Sequence, residues 1–154
     1  MHVLLHVGEL RGEPQFEPVH VEELGEGMLR LLFSPGLAYE VAAGDTIKVA
    51  DSGHYEVIER AGNLAVRVYF KEPIGDRLTM LEEEFAAMDG TLDGQVRKGA
   101  VFTLPASGQV PRVREVMSDF LKTNKDCIWE FGNAFDSQGK PLEWCKHLLG
   151  AGEA

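Results

Sequence analysis

The chain has 154 residues, 44% hydrophobic and 26% charged, enough apolar material for a buried core and too much for disorder over its bulk. Its 25 acidic and 15 basic residues give a formal net charge of -10. A phosphate backbone demands a basic footprint, so nucleic acid is excluded as a general partner, whereas complementary charge favours a basic protein.

His2 to Val7 alternates with period two and predicts a strand, as does Phe16 to Glu22 after the Gly-Glu-Pro break. Gly25-Glu26-Gly27 turns the chain, and Met28 to Phe33 is an apolar strand stopped by Ser34-Pro35-Gly36. Thr46 to Val49 and His54 to Arg60 flank Asp51-Ser52-Gly53, a hairpin turn in which glycine supplies the positive φ. After Ala61-Gly62-Asn63, the run Leu64 to Phe70 places Leu64, Val66, Val68 and Phe70 on one face. The first 70 residues therefore read as almost all β, and a small β-barrel or curled antiparallel sheet would remove the sheet's exposed edges.

The period then changes. Asp76 is the expected N-cap of a helix carrying Leu78, Leu81, Phe85 and Met88, closed by Gly90 at C′. Leu92 to Arg97 and Ala100 to Leu104 read as strands. Pro111 opens a second helix striped by Val113, Val116, Met117, Phe120 and Leu121, and Cys127 to Phe131 is a last strand. From Leu64 the order is strand, helix, strand, strand, helix, strand, the ferredoxin-like (split βαβ) sequence of elements. The expectation is α+β: a barrel-like part over 1–62, a ferredoxin-like part over 63–135 and a packed tail over 136–154.

Pro35, Tyr39, Gly44-Asp45, the run Glu59-Arg60-Ala61-Gly62-Asn63, and then Arg67 carry a resemblance. This pattern resembles the uncharacterised bacterial domain-of-unknown-function family 4265, with Ala61 where the family usually has serine and Asn63 where it has histidine. The resemblance implies the fold arrangement just read and implies no activity.

The chemistry of known motifs is sparse. There is no phosphate-binding glycine loop and no nucleophile elbow. His2 and His6 would lie roughly 13 Å apart along a strand, too far for one ion. His20, His54 and His147 converge only if folding brings them together, and the two cysteines have no metal-ligand spacing. Cys127 follows Asp126, which raises a thiol pKa, and Cys145 is flanked by Trp144 and Lys146 without a well-placed base. No catalytic residue, metal ligand or cofactor is therefore nominated.

Two surfaces remain. Glu82 and Glu83 fan over the outer face of the first helix, either a solvated face or a docking patch for a basic partner with Asp89 and Asp93 at its rim. Trp144 is the apolar interface candidate, while Trp129 shares a strand face with Cys127 and Phe131 and reads as core. Tyr39, Asp45, Glu59 and Arg67 mark a candidate ligand site at the barrel mouth, or else structural support in which Glu59 pairs with Arg67. The leading expectation is a non-enzymatic binding protein masking a basic partner, in the manner of a bacterial immunity or antitoxin protein. The alternatives are a hydrolase or transferase, or a small-ligand sensor, at the barrel mouth. Met1 to Val7 lacks the basic flank and long apolar stretch of an export signal. No run approaches the roughly 20 apolar residues that span a bilayer, so a cytoplasmic address without membrane association is expected. The oligomeric state is left open.

Overall fold

A computed structural model of the chain describes residues 1–149. Five strands come first: β1 (His2–Leu10), β2 (Glu13–Gly25), β3 (Met28–Leu31), β4 (Thr46–Val49) and β5 (Tyr55–Glu59). They form one antiparallel sheet in chain order, with Leu5, Val19, Val21, Leu29, Leu31 and Ile47 buried on its inner face. Alternation puts these residues on one side because side chains of a strand point to opposite faces in turn.

The sheet is curled and does not close into a barrel. β1 and β5 are its edges, and the ends meet where the β4–β5 turn reaches β1, with the His6 N–H donating to the Gly53 carbonyl at 2.9 Å. The 13-residue β2 bends, pairing with β1 along its first part and with β3 along its last, while four-residue β4 and five-residue β5 are too short to complete a ring.

The second sheet contains β6 (Asn63–Phe70), β7 (Thr91–Val96), β8 (Gly99–Pro105) and β9 (Cys127–Phe131), in the order β7-β8-β6-β9 with every neighbour antiparallel. Helices α1 (Thr79–Ala86) and α2 (Val110–Thr123) connect its strands. Leu64, Val66, Val68 and Phe70 of β6 join the helices' Leu81, Phe85, Val113, Met117 and Phe120 in the larger core. Phe85 stacks edge-on against Phe102 at 4.9 Å and Phe120 against Phe70 at 6.0 Å. The chain is thus a mixed α+β protein with both helices after Pro73.

Three local expectations change. The N-cap position of α1 is Leu78, not Asp76, whose carbonyl instead accepts the Thr79 hydroxyl at 3.1 Å. The left-handed residue after α1 is Asp89, at φ 63°, not Gly90. Gly90 is small for another reason: an added Cβ would stand 2.8 Å from both the Phe85 carbonyl oxygen and Leu104 Cγ. Finally, β5 and β6 are not a hairpin, because Gly62 (φ 87°) turns the chain out of the first sheet and into the second.

β6 is covered on both sides. Its even positions face the helices, and its odd positions Ala65 and Arg67 are also buried, with Ala65 packed on Ala42 and Val101. What covers this second face is the long β3–β4 connection, a strap running across the sheet. The tail after β9 folds on itself through an isolated Phe135–Pro141 bridge and a short 3-10 turn, Lys146–Leu148, and buries Cys145 and Leu149 in the larger core. Positions 150–154 of the expected tail lie outside the described residues.

Candidate functional site

Arg67 is the central residue beneath the strap. It is 1% exposed, in an otherwise apolar strand. Nη2 donates to the Ala38 carbonyl, Nη1 lies 3.7 Å from Glu130 Oε2, and the guanidinium sits 4.7 Å from the centre of the Tyr39 ring. Its plane rests on Gly132, where a Cβ would come within 2.6 Å of Nε. Glu130 collects the Tyr39 hydroxyl at 2.9 Å and the Tyr69 hydroxyl at 3.1 Å. Burial, followed by the hydrogen bond to Glu130, pushes the Tyr39 phenol up to about 12. Burial likewise raises Tyr69, opposed by Arg67. Strap, β6 and β9 are thereby held by one hydroxyl-carboxylate-guanidinium network.

The rest of the strap is fixed by carboxylates accepting backbone N–H groups. Glu17 accepts from Gly36, Leu37 and Ala38. Asp93 accepts from the Ser34 N–H at 2.8 Å and from the Thr91 and Thr103 hydroxyls. Asp45, 1% exposed, accepts from the Ala42 and Ala61 N–H groups at 3.0 Å each and lies 3.7 Å from Arg60. Burial raises its pKa, and those two N–H groups oppose the shift. Asn63 Nδ2 reaches the Ala43 carbonyl, and an added Cβ on Gly44 would strike the Ala61 methyl at 2.7 Å. The Gly44-Asp45 pair and the Glu59–Asn63 run are one welded corner.

Between the strap residues Tyr39 and Glu40, β9 and the start of the tail lies a cavity of about 730 Å³. Tyr39, Trp129, Phe131 and Phe135 supply aromatic walls, and Glu40, Glu130 and Asp136 supply carboxylates, with Arg114 at the side. Trp129 and Phe131 meet edge-on at 5.1 Å, and Arg114 lies 5.5 Å from the Phe131 ring. A second groove of about 540 Å³ runs between the strap and the β7–β8 hairpin, lined by Phe33, Leu37, Val96 and Lys98 among others.

Several nominated residues fall elsewhere than expected. Tyr39 and Arg67 do meet, and Asp45 sits in the adjoining corner, but Glu59 does not join them. It is exposed at the end of β5, opposite Thr46, and Arg67 takes Glu130 as counter-charge instead. Glu82 and Glu83 are exposed on α1, beside Glu84, which pairs with Arg112 at 3.0 Å. Asp89 is exposed at the helix end, but Asp93 is turned inward onto the strap and forms no rim. Trp144 is half-buried, donates to the Asn133 carbonyl at 2.9 Å and carries Arg60 over its ring, so it is packing rather than a free surface. Trp129, read as core, does pack against the larger core, but it is half-buried and also lines the cavity.

Sequence reasoning missed Glu130, Tyr69 and Asp136. The signal for Glu130 was Arg67 itself, since a cation in an apolar strand demands a partner. It also missed two histidine pairs: β1–β2 register sets the His2 and His20 Nε2 atoms 3.2 Å apart, and the β4–β5 turn stacks the His54 ring on that of His6 at 4.3 Å. Among the described residues no group of three or more side chains able to hold a metal ion exists. Both cysteines are free and buried; burial first and Asp126 second push the Cys127 thiol up to about 11, and burial raises Cys145. No helix of the described residues is long and apolar enough to cross a membrane.

These features define a class: a two-sheet α+β protein whose β3–β4 strap is riveted across the second sheet by carboxylates and one buried arginine. The chain belongs to the family described as Domain of unknown function (DUF4265), which it matches over residues 17–129. That span holds Arg67, Asp45 and the whole strap, and it stops just short of Glu130. The chain is also similar to the crystal structure of a hypothetical protein from Neisseria gonorrhoeae, at 13% identity and a TM-score of 0.64. The likeness covers 85% of this chain and 92% of that one, and it concerns the fold alone. No curated protein matches the chain.

Proposed function

We propose that this protein is a non-enzymatic binding protein of the cytoplasm that engages and masks a basic protein partner, as an immunity or antitoxin protein does. The observation that carries this reading is where the acidic residues go. Glu17, Asp45, Asp93 and Asp126 are engaged by the fold itself, each accepting at least one backbone N–H. Glu82 and Glu83 stand on the solvent face of α1 with no partner among the described residues, on a chain of net charge -10. Uncompensated charge of one sign on a rigid helix steers an oppositely charged partner. The element order and the β7-β8-β6-β9 sheet order support a ferredoxin-like reading of the second half, which provides the stiff platform.

The test is co-purification from the native cytosol at low and high salt, with the parent and with Glu82→Lys/Glu83→Lys. A basic partner retained by the parent at low salt, and lost from the variant, is the expected outcome. Equal recovery by both proteins at both salts overturns the reading. A second reading, a small-ligand sensor or an unrecognised hydrolase or transferase, is favoured by the cavity beside Tyr39. Turnover or saturable uptake of an uncharged metabolite by the purified protein would support it.

A further inference from the structure

The cavity between the strap and β9 has the chemistry of a cation receptor. We propose that it receives the guanidinium of one arginine side chain presented by the partner. This rests on the reading that the partner is basic and names the group the protein would grip.

Four observations converge. First, the space is large enough: about 730 Å³ falls within the range of ligand pockets. Second, its walls are aromatic faces. Arg67 covers Tyr39 from within, yet the tyrosine remains 49% exposed, so ring surface is left for a second cation; Trp129 and Phe135 face the same space. Cations bind such faces within roughly 6 Å of the ring centre, most strongly on tryptophan. Third, the charge is complementary. Glu40, Glu130 and Asp136 set three carboxylates against one lining guanidinium, Arg114. Glu130 is occupied by two tyrosine hydroxyls and faces Arg67, but the Glu40 carboxylate has no partner among the described residues. Asp136 uses Oδ1 for the Gln138 and Lys140 N–H groups, which fixes the carboxylate at the rim.

Fourth, the fold already uses this contact. Arg60 lies over Trp144 at 5.4 Å, Arg67 over Tyr39 at 4.7 Å and Arg114 over Phe131 at 5.5 Å. A planar guanidinium stacks on a ring and pairs with a carboxylate in its own plane, which a compact, strongly hydrated ammonium does less well. That difference selects arginine over lysine.

Glu40 is held in place for this task. Its backbone adopts φ 70°, its N–H donates to the Gly132 carbonyl at 2.9 Å and its carbonyl accepts from Arg60 at 2.7 Å, so both backbone groups are tied while the side chain is free.

The experiment is a titration of the full chain with three blocked amino acids: Nα-acetyl-arginine amide, the lysine equivalent, and the citrulline equivalent, which has arginine's shape without its charge. The readout is the indole N–H resonance of Trp129, assigned with a Trp129→Phe variant. The arginine compound is expected to shift that resonance saturably in the millimolar range, and citrulline to leave it in place. Glu40→Gln should weaken the response about tenfold, corresponding to the loss of one cation–carboxylate contact. An equal response to citrulline, no response to arginine, or an unaltered Glu40→Gln would overturn the receptor, and an equal response to lysine would overturn the choice of guanidinium. Failure here beside intact salt-sensitive capture sinks the receptor and leaves the basic-partner reading standing. Arginine binding beside salt-insensitive, charge-indifferent capture does the reverse.

Discussion

Arg67 is a cation where water does not reach, and its neighbours must therefore do what water would. Glu130 supplies the charge, Ala38 a carbonyl and Tyr39 a ring, while Gly132 lets the guanidinium lie flat on the backbone. This last contact is testable. A methyl added at Gly132 would stand 2.6 Å from Nε and 2.7 Å from Nη2 of a side chain with no room to retreat. Gly132→Ala should cost about 2 kcal/mol in urea melts, as overpacking does. In an Arg67→Met background the cost should fall below about 0.5 kcal/mol, because the clashing atoms are gone and the two sites are directly coupled. Equal costs in both backgrounds would place the guanidinium elsewhere. At this scale the sequence was half legible. An arginine within Leu-Ala-Val-Arg-Val-Tyr-Phe announces a buried counter-charge, and Tyr39 was rightly set beside it. The expected pairing with Glu59 does not form, because the turn at Gly62 carries β6 out of the sheet that holds β5. Glu130 is distant in sequence, and no local pattern points to it.

The segments that frame the second sheet's helices show how a correct element can rest on a mistaken detail. The apolar stripe of α1 is where its spacing puts it, with Leu81 and Phe85 buried, yet Asp76 does not cap it and Gly90 does not turn it. Glycine after a helix is usually read as a left-handed C′ residue. Here Asp89 adopts that conformation, and Gly90 is small because the chain must pass Phe85 and Leu104. Gly90→Ala should therefore lose about 2 kcal/mol even though its φ suits alanine, since a backbone oxygen at 2.8 Å cannot move aside. A melting curve matching the parent's would refute the close approach. The β6–α1 connection is pinned to β9 by Arg77, whose two nitrogens reach Asp126 at 2.7 and 3.1 Å, with the Glu72 N–H on the same carboxylate. The arginine hydrogen bond, then that N–H, hold the Asp126 carboxyl at about 2, below its ordinary 3.8. A depressed folded pKa means stabilisation that is present above 3.8 and lost as pH falls through about 2. Asp126→Asn should remove that part of the acid dependence, seen as a flatter plot of urea midpoint against pH across this window. An unchanged plot would show that the pair does nothing for folding.

For the molecule as a whole, the switch from period two to period 3.6 near residue 70 made the division between all-β and mixed halves legible. The strap's role was not. A connection of loop residues carries no periodicity, and its hydrogen bonds go to Glu17, Asp93, Arg67 and Glu130, scattered from end to end of the chain. A consequence is that internal carboxylates must be subtracted before surface charge is judged. What remains on α1 is Glu82 and Glu83, since Glu84 is taken by Arg112. Reversing both to lysine moves the net charge by four, from -10 to -6, while Leu78, Leu81 and Phe85 keep their places in the core. Folding should survive within about 0.5 kcal/mol, as surface substitutions usually do. If this helix docks a basic partner, the effect belongs in the association rate, because long-range attraction accelerates encounter more than it prolongs the complex. Screening acts over roughly 10 Å at 0.1 M salt, so the gap between parent and variant should be wide in dilute buffer and narrow as salt rises. Surface-plasmon kinetics at two ionic strengths, against the partner recovered from cytosol, read both effects. An association rate unchanged at low salt would remove α1 from the binding surface. The aromatic cavity beside Tyr39 would then have to carry the contact by itself, mainly through the dissociation rate.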